Sequence, residues 1–145
     1  MSKLLQRLSD ATKSGVYRAS RTDEILAATH GSGLHVARID LGGAAAKEAL
    51  LARIAGALAF PSWFGGNWDA LEDCLSDLSW QPGPGYVLLL EHGKHFGAGH
   101  KQEFVTAVEV LDGVAEYWQG QGKPFWAIVS GPEGWDAGLP LLPDA

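Results

Sequence analysis

Residues 86–130, YVLLLEHGKHFGAGHKQEFVTAVEVLDGVAEYWQGQGKPFWAIVS, decide the fold. YVLLLEH (86–92) is a continuous apolar run, the pattern of a strand covered on both faces, and FWAIVS (125–130) is a second strand of the same kind. Between them, residues 100–119 carry Phe104, Val108, Leu111, Ala115 and Trp118 at helical spacing, and Gly120 and Gly122 end that helix. Residues 97–99, Gly-Ala-Gly, read as loop, too far from a Walker or dinucleotide glycine pattern to cradle phosphate as a motif. A strand, a crossover helix and a strand read as a parallel pair, because parallel strands need a connection of this length and hairpin turns are far shorter.

Working outward, LHVARIDL (34–41) alternates as a third strand, and Gly42 and Gly43 end it. AAAKEALLARIAGALAF (44–60) is built of helix formers, with Leu50, Leu51, Ile54 and Leu58 on one side and Pro61 as its stop. NWDALEDCLSDLSW (67–80) predicts a further helix with Asn67 as N-cap, ended by the turn cluster QPGPG at 81–85. Three strands separated by helices predict a small α/β domain on a three-stranded parallel sheet, spanning residues 33–145 and ending in an irregular Pro/Gly-rich tail. Residues 1–32 read as an extension packed on that domain: an amphipathic helix, the short strand GVYRAS, and a helix TDEILAATHG with Thr22 as N-cap. This extension either adds an edge strand to the sheet or covers apolar surface, and both readings stand at this stage.

A chain of 145 residues with 46% hydrophobic and 19% charged residues suits one domain with its own core. The lone Cys74 can form neither an internal disulfide nor a cysteine zinc cage, and it reads as a buried small hydrophobe. The N-terminus lacks an apolar export core and no stretch reaches about 18 apolar residues, so the expectation is a cytoplasmic protein with no membrane association. The net charge of −6 is uneven: residues 1–59 carry eight Lys/Arg against five Asp/Glu, residues 60–145 three against twelve. Such a field repels phosphate backbones, disfavouring direct nucleic-acid binding and favouring a basic protein partner.

The acidity concentrates on the 67–80 helix. Trp68, Leu71, Leu75 and Leu78 share one face, while Asp69, Asp73 and Asp77 follow one another at i, i+4 and i+8 on the other, with Glu72 on the flank. Like charges at that spacing destabilise a helix by about 0.2–0.5 kcal/mol per pair unless a cation meets them. The stripe is therefore either a solvated face or a binding surface. The preceding PSWFGGN sets Trp63 and Phe64 beside Gly65 and Gly66, and large aromatics next to unpaired carboxylates have the composition of an interface hot spot. Phe64 has a second reading, as the ring that staples this loop to the core. Elsewhere, Glu91, His92 and His95 offer an alternative as a small metal-binding site, although glycines surround the histidines and no zinc signature is present. No nucleophile with a base stands out, so neither catalytic residues nor a cofactor are expected.

FPSWFGGNWDALEDCL (60–75) resembles the signature of the barstar family: a proline, paired aromatics, Gly-x-Asn, an apolar residue, Asp-Ala-Leu, then x-Asp-Cys-Leu. LHVARIDLGG before it, YVLLLE after it and the strand ending at Ser130 extend the resemblance over roughly residues 34–130. It implies a barstar-like two-layer fold with a three-stranded parallel sheet flanked by helices. It also implies a non-catalytic, immunity-type inhibitor whose helix and loop plug the active site of a secreted, basic ribonuclease or related toxin. The residues it assigns to partner binding are Trp63, Phe64, Gly65, Asn67, Asp69, Glu72, Asp73, Tyr117 and Gln121. Asp73 falls on the carboxylate that mimics a substrate phosphate and meets Arg and His side chains. Glu72 stands where the family has a contacting Trp, and Tyr117 and Gln121 stand where it has acidic contacts at the end of its last helix. A regulatory module with a non-nuclease partner needs the same acidic surface and is the alternative within this reading.

Overall fold

The computed structural model describes residues 2–145. The two apolar runs form β3 (Tyr86–Glu91) and β4 (Phe125–Ser130), and every residue of both is buried. Between them run a short α5 (Lys94–Gly99) and the long α6 (Lys101–Gly120). β2 (His35–Asp40) lies on the far side of β3, with Ala37 opposite Leu88 and Ile39 opposite Leu90. β4 lies on the near side, with Val87 opposite Trp126. β1 (Gly15–Ala19) then pairs with β4, Val16 opposite Ala127. All pairings are parallel and the order is β1–β4–β3–β2.

Two expectations are corrected here. The sheet has four strands, because GVYRAS supplies the edge strand β1. The fold also has helices on both faces of the sheet. Tyr86, Leu88 and Leu90 face the larger core, shared with α3 (Lys47–Ala57), α4 (Trp68–Leu75) and α6. Val87, Leu89, Trp126 and Ile128 face the other way and meet Leu4 and Leu8 of α1 (Lys3–Leu8) and Ile25 of α2 (Asp23–Thr29). Alternate side chains of a strand point to opposite faces, so a fully apolar strand needs cover on both. The N-terminal residues provide it: Leu8 and Ile25 are fully buried, each worth about 1.5–3 kcal/mol. Trp126 Nε1 donates to the Leu8 carbonyl at 2.9 Å, satisfying an indole that has no other route to water.

Helix limits differ from those expected. α3 is shorter than 44–60, and α4 ends at Leu75 rather than at 80. Leu78 adopts a left-handed φ of 49°, which costs a branched residue about 1–2 kcal/mol, yet it is 1% exposed. Burying Leu78 outweighs continuing the helix, and Asp77 is left outside it. Residues 97–99, expected as loop, form the second half of α5. Thr22 holds the N-cap position of α2, but its hydroxyl makes no cap bond and turns elsewhere. The tail packs along β1: Arg18 N donates to the Pro140 carbonyl, Leu142 N to the Arg18 carbonyl, and Leu142 is buried. Met1, at the start of the expected N-terminal helix, lies outside the described residues.

Glu91, the last residue of β3, is buried and fully engaged. Arg38 Nε and Nη2 donate to its two oxygens at 2.7 and 2.9 Å, and the Thr22 hydroxyl donates at 2.8 Å. The Arg38 bonds, then the Thr22 bond, hold the Glu91 carboxyl below its ordinary value of 4.5 against the opposing effect of burial. One carboxylate thus ties β2, β3 and the start of α2 together.

Leu8→Ala should lower the free energy of unfolding by about 2–5 kcal/mol in denaturant titration, as for a core position. A surface-like loss below about 0.5 kcal/mol would contradict a structural role for the N-terminal residues. For Glu91, a depressed folded pKa means that its contribution is present above the unfolded value near 4.5 and disappears as pH falls through the folded one. The stability gap between wild type and Glu91→Gln should therefore be constant near neutrality and shrink on acidification below that value.

Candidate functional site

Since the strands are parallel, the segments that lead directly into them gather at one end of the sheet. The aromatic loop lies at that end. The Leu58 carbonyl accepts from Trp80 Nε1 at 3.0 Å and Gln81 Nε2 at 3.2 Å, fastening the chain after α3 to the segment that leads into β3. Phe64 is half-buried, with its ring 5.0 Å from Phe60 and nearly perpendicular to it, and Phe60 stands 5.9 Å from Trp80. Phe64 is the staple of the loop. Trp63 stands nearly perpendicular to Trp80, with ring centres 6.3 Å apart, and remains 59% exposed. Trp80 was read as the last residue of a helix, and its place beside Trp63 is legible only once Leu78 has turned the chain back.

Gly66 takes φ +70°, which favours glycine, and delivers the chain to Asn67 in extended geometry. Asn67 Oδ1 accepts from Ala70 N at 2.8 Å, so the expected N-cap is formed by the side chain itself. Beyond it, α4 buries Leu71, Cys74 and Leu75 and turns Asp69, Glu72 and Asp73 to solvent. None of the three forms an ion pair among the described residues. Asp69 sits in the first turn, near the positive end of the helix dipole. Burial first, and then the charges of Asp73 and Asp77, push the Cys74 thiol up and away from nucleophilic thiolate.

Tyr117 and Gln121 lie by the other end of α4. The Trp118 indole is buried and donates to the Leu75 carbonyl at 2.8 Å, seating the last turn of α6 against the last turn of α4. Its neighbour Tyr117 is 46% exposed, and Gln121 is the exposed C-cap of α6. Trp63, Phe64, Gly65, Asn67 and Asp69 thus gather around the start of α4, with Glu72 and Asp73 along it and Tyr117 and Gln121 near its finish.

Glu91, His92 and His95 do not assemble a metal centre. Glu91 is committed to Arg38 and Thr22, and exposed His92 pairs through Nδ1 with Asp40 at 2.9 Å. Among the described residues no group of three His, Cys, Asp or Glu side chains could hold a metal, and no helix is long and apolar enough to cross a membrane.

Comparison with curated protein sequences finds no match. Among solved structures, the chain is similar to the ORC2 protein of Aeropyrum pernix, determined in ADPNP–ADP complexes, with a TM-score of 0.54 and 18% identity. That match covers 89% of this chain but only 38% of the archaeal one, so it speaks to the arrangement of sheet and helices alone. The family model described as Barstar (barnase inhibitor) matches residues 34–130, from the start of β2 to the end of β4. The match therefore takes in the capped α4, the aromatic loop and the exposed carboxylates together, and on it the chain belongs to the barstar family.

Proposed function

We propose that the protein is a cytoplasmic, immunity-type inhibitor, not an enzyme, that binds a basic ribonuclease or related nuclease toxin and blocks its active site with α4 and the aromatic loop. The observation that carries this reading is the set of Asp69, Glu72 and Asp73, exposed and without an ion pair among the described residues, beside a Trp63 that is 59% exposed. Left in water, these carboxylates repel one another and the indole stays wet. A cleft lined by Arg, Lys and His relieves both conditions at once.

In the proposed complex Asp73 takes the place of a substrate phosphate, accepting charge-assisted hydrogen bonds that are shorter and about twice as strong as neutral ones. Asp69 and Glu72 flank it, and Trp63 supplies a rigid apolar anchor, with Phe64 and Gly65 fixing the loop beneath. The Asn67 cap holds the first turn in the bound shape, so little ordering remains to be done on association. Glu72, in place of the family's aromatic contact, makes this surface more acidic. Tyr117 and Gln121, in place of acidic contacts, offer stacking and neutral hydrogen bonds. The partner is therefore expected to concentrate its cations opposite α4 rather than opposite the end of α6.

Titration calorimetry against basic microbial ribonucleases tests the proposal. Asp73→Ala and Trp63→Ala should each weaken the complex by about 2 kcal/mol or more, roughly thirtyfold. A tight complex indifferent to Asp73→Ala would remove the phosphate-mimic mechanism, and tight binding of a basic non-nuclease would favour a regulatory module. The association rate should fall steeply between low and physiological salt while dissociation changes little, measured by stopped-flow mixing.

A further inference from the structure

The acidic helix and its loop occupy the end of the sheet where the strands begin. At the opposite end, where they finish, a cavity of about 940 Å³ opens, on the scale of small-molecule sites. Topology creates it. β1 passes its chain to α2 on one face of the sheet, and β3 passes its chain to α5 and α6 on the other. β4 lies between them and is followed by no helix, only by Gly131 and Pro132. The chains leaving the two strands that flank β4 part to opposite faces and leave a crevice beyond its carboxyl end, and open parallel sheets bind ligands in such crevices. Residues 20–23 line the wall that follows β1, His92, Lys94, His95, Ala98 and Gly99 the wall that follows β3, and Ser130, Gly131 and Pro132 the stretch between.

The charges at the cavity are not balanced in their availability. Its two carboxylates are engaged: Asp23 pairs with Arg21 at 3.1 Å, and Glu91 accepts from Arg38 and Thr22. Lys94 and His95 are exposed on the facing wall, and neither forms an ion pair among the described residues. Residues 60–145 hold only three lysines beside twelve acidic residues, and one of the three stands here with no carboxylate partner among the described residues. Ala98, Gly99 and Pro132 add apolar wall beside these donors.

We propose that this cavity binds a small phosphorylated molecule of nucleotide size, its phosphate held by Lys94 and His95 and its organic part lying against Ala98 and Pro132. A nucleic-acid polymer carries its charges past the acidic remainder of the surface and is repelled there, whereas a single small anion enters from the cationic wall. The site lies at the other end of the sheet from α4, so it is independent of the inhibitor surface.

Titration of the isotopically labelled full chain with adenosine 5′-diphosphate, followed by backbone amide shifts, tests the assignment. Saturable shifts confined to residues 20–23, 92–99 and 130–132 are expected, with Lys94→Glu raising the dissociation constant at least about tenfold, and Asp73→Ala leaving it unchanged. Absence of saturation at about 1 mM ligand, or equal affinity in the correctly folded Lys94→Glu variant, overturns the site. Citrate binding as tightly as the diphosphate overturns the phosphate class.

Discussion

β3 and β4 are desolvated on both faces, and that constraint organises the rest of the molecule. An all-parallel sheet of apolar strands cannot leave either face wet, so helices must cover both. The larger core beneath α3, α4 and α6 meets half of the requirement. Leu4, Leu8 and Ile25 meet the other half, and without them Val87, Leu89, Trp126 and Ile128 would face water. Residues 2–33, which precede the family match, are thus integral to this chain's core.

The same constraint makes the binding surface rigid. α4 is only eight residues long, too short to persist alone in water, and it holds its shape because Leu71, Cys74 and Leu75 are buried and both ends are fastened. Asn67 closes its first turn, and the Trp118 indole closes its last through the Leu75 carbonyl. Exposed carboxylates on a short helix are tolerable when the opposite face is this well anchored. The surface can be spent on recognition because stability comes from beneath it.

Periodicity made the strands legible, since YVLLLE and FWAIVS admit no face to water. It also made Asn67 legible as a cap, because side-chain capping is local chemistry. What it missed depends on residues far apart in the chain. The continuous apolarity of β3 already implied two covered faces, and residues 1–32 were read as an extension that adds an edge strand or covers apolar surface; that they do both was not legible, because partners such as Leu8 and Trp126 lie 118 residues apart. Helical spacing carried α4 past Leu75, and only the core explains why Leu78 leaves the helix to be buried. In the site, Trp63 and the carboxylates were visible in PSWFGGNWDALED, whereas Trp80 as the ring beside Trp63 was not. The histidines drew attention to the carboxyl end of the sheet, but the pairing of Glu91 with Arg38, 53 residues apart, had no local signal.

The short pairing of the tail with β1 has a consequence for solution behaviour. A sheet edge presents a row of unmet amides and carbonyls, a template for another chain's strand. At β1 the chain answers its own edge, with Pro140 and Leu142 bonded to Arg18 and Leu142 sealed beneath. At β2, charged Arg38 and Asp40 stand exposed on the strand instead. One margin is thus met by the tail at Arg18 and the other carries charge, and both pairing and charge at a sheet edge hinder the addition of a further strand.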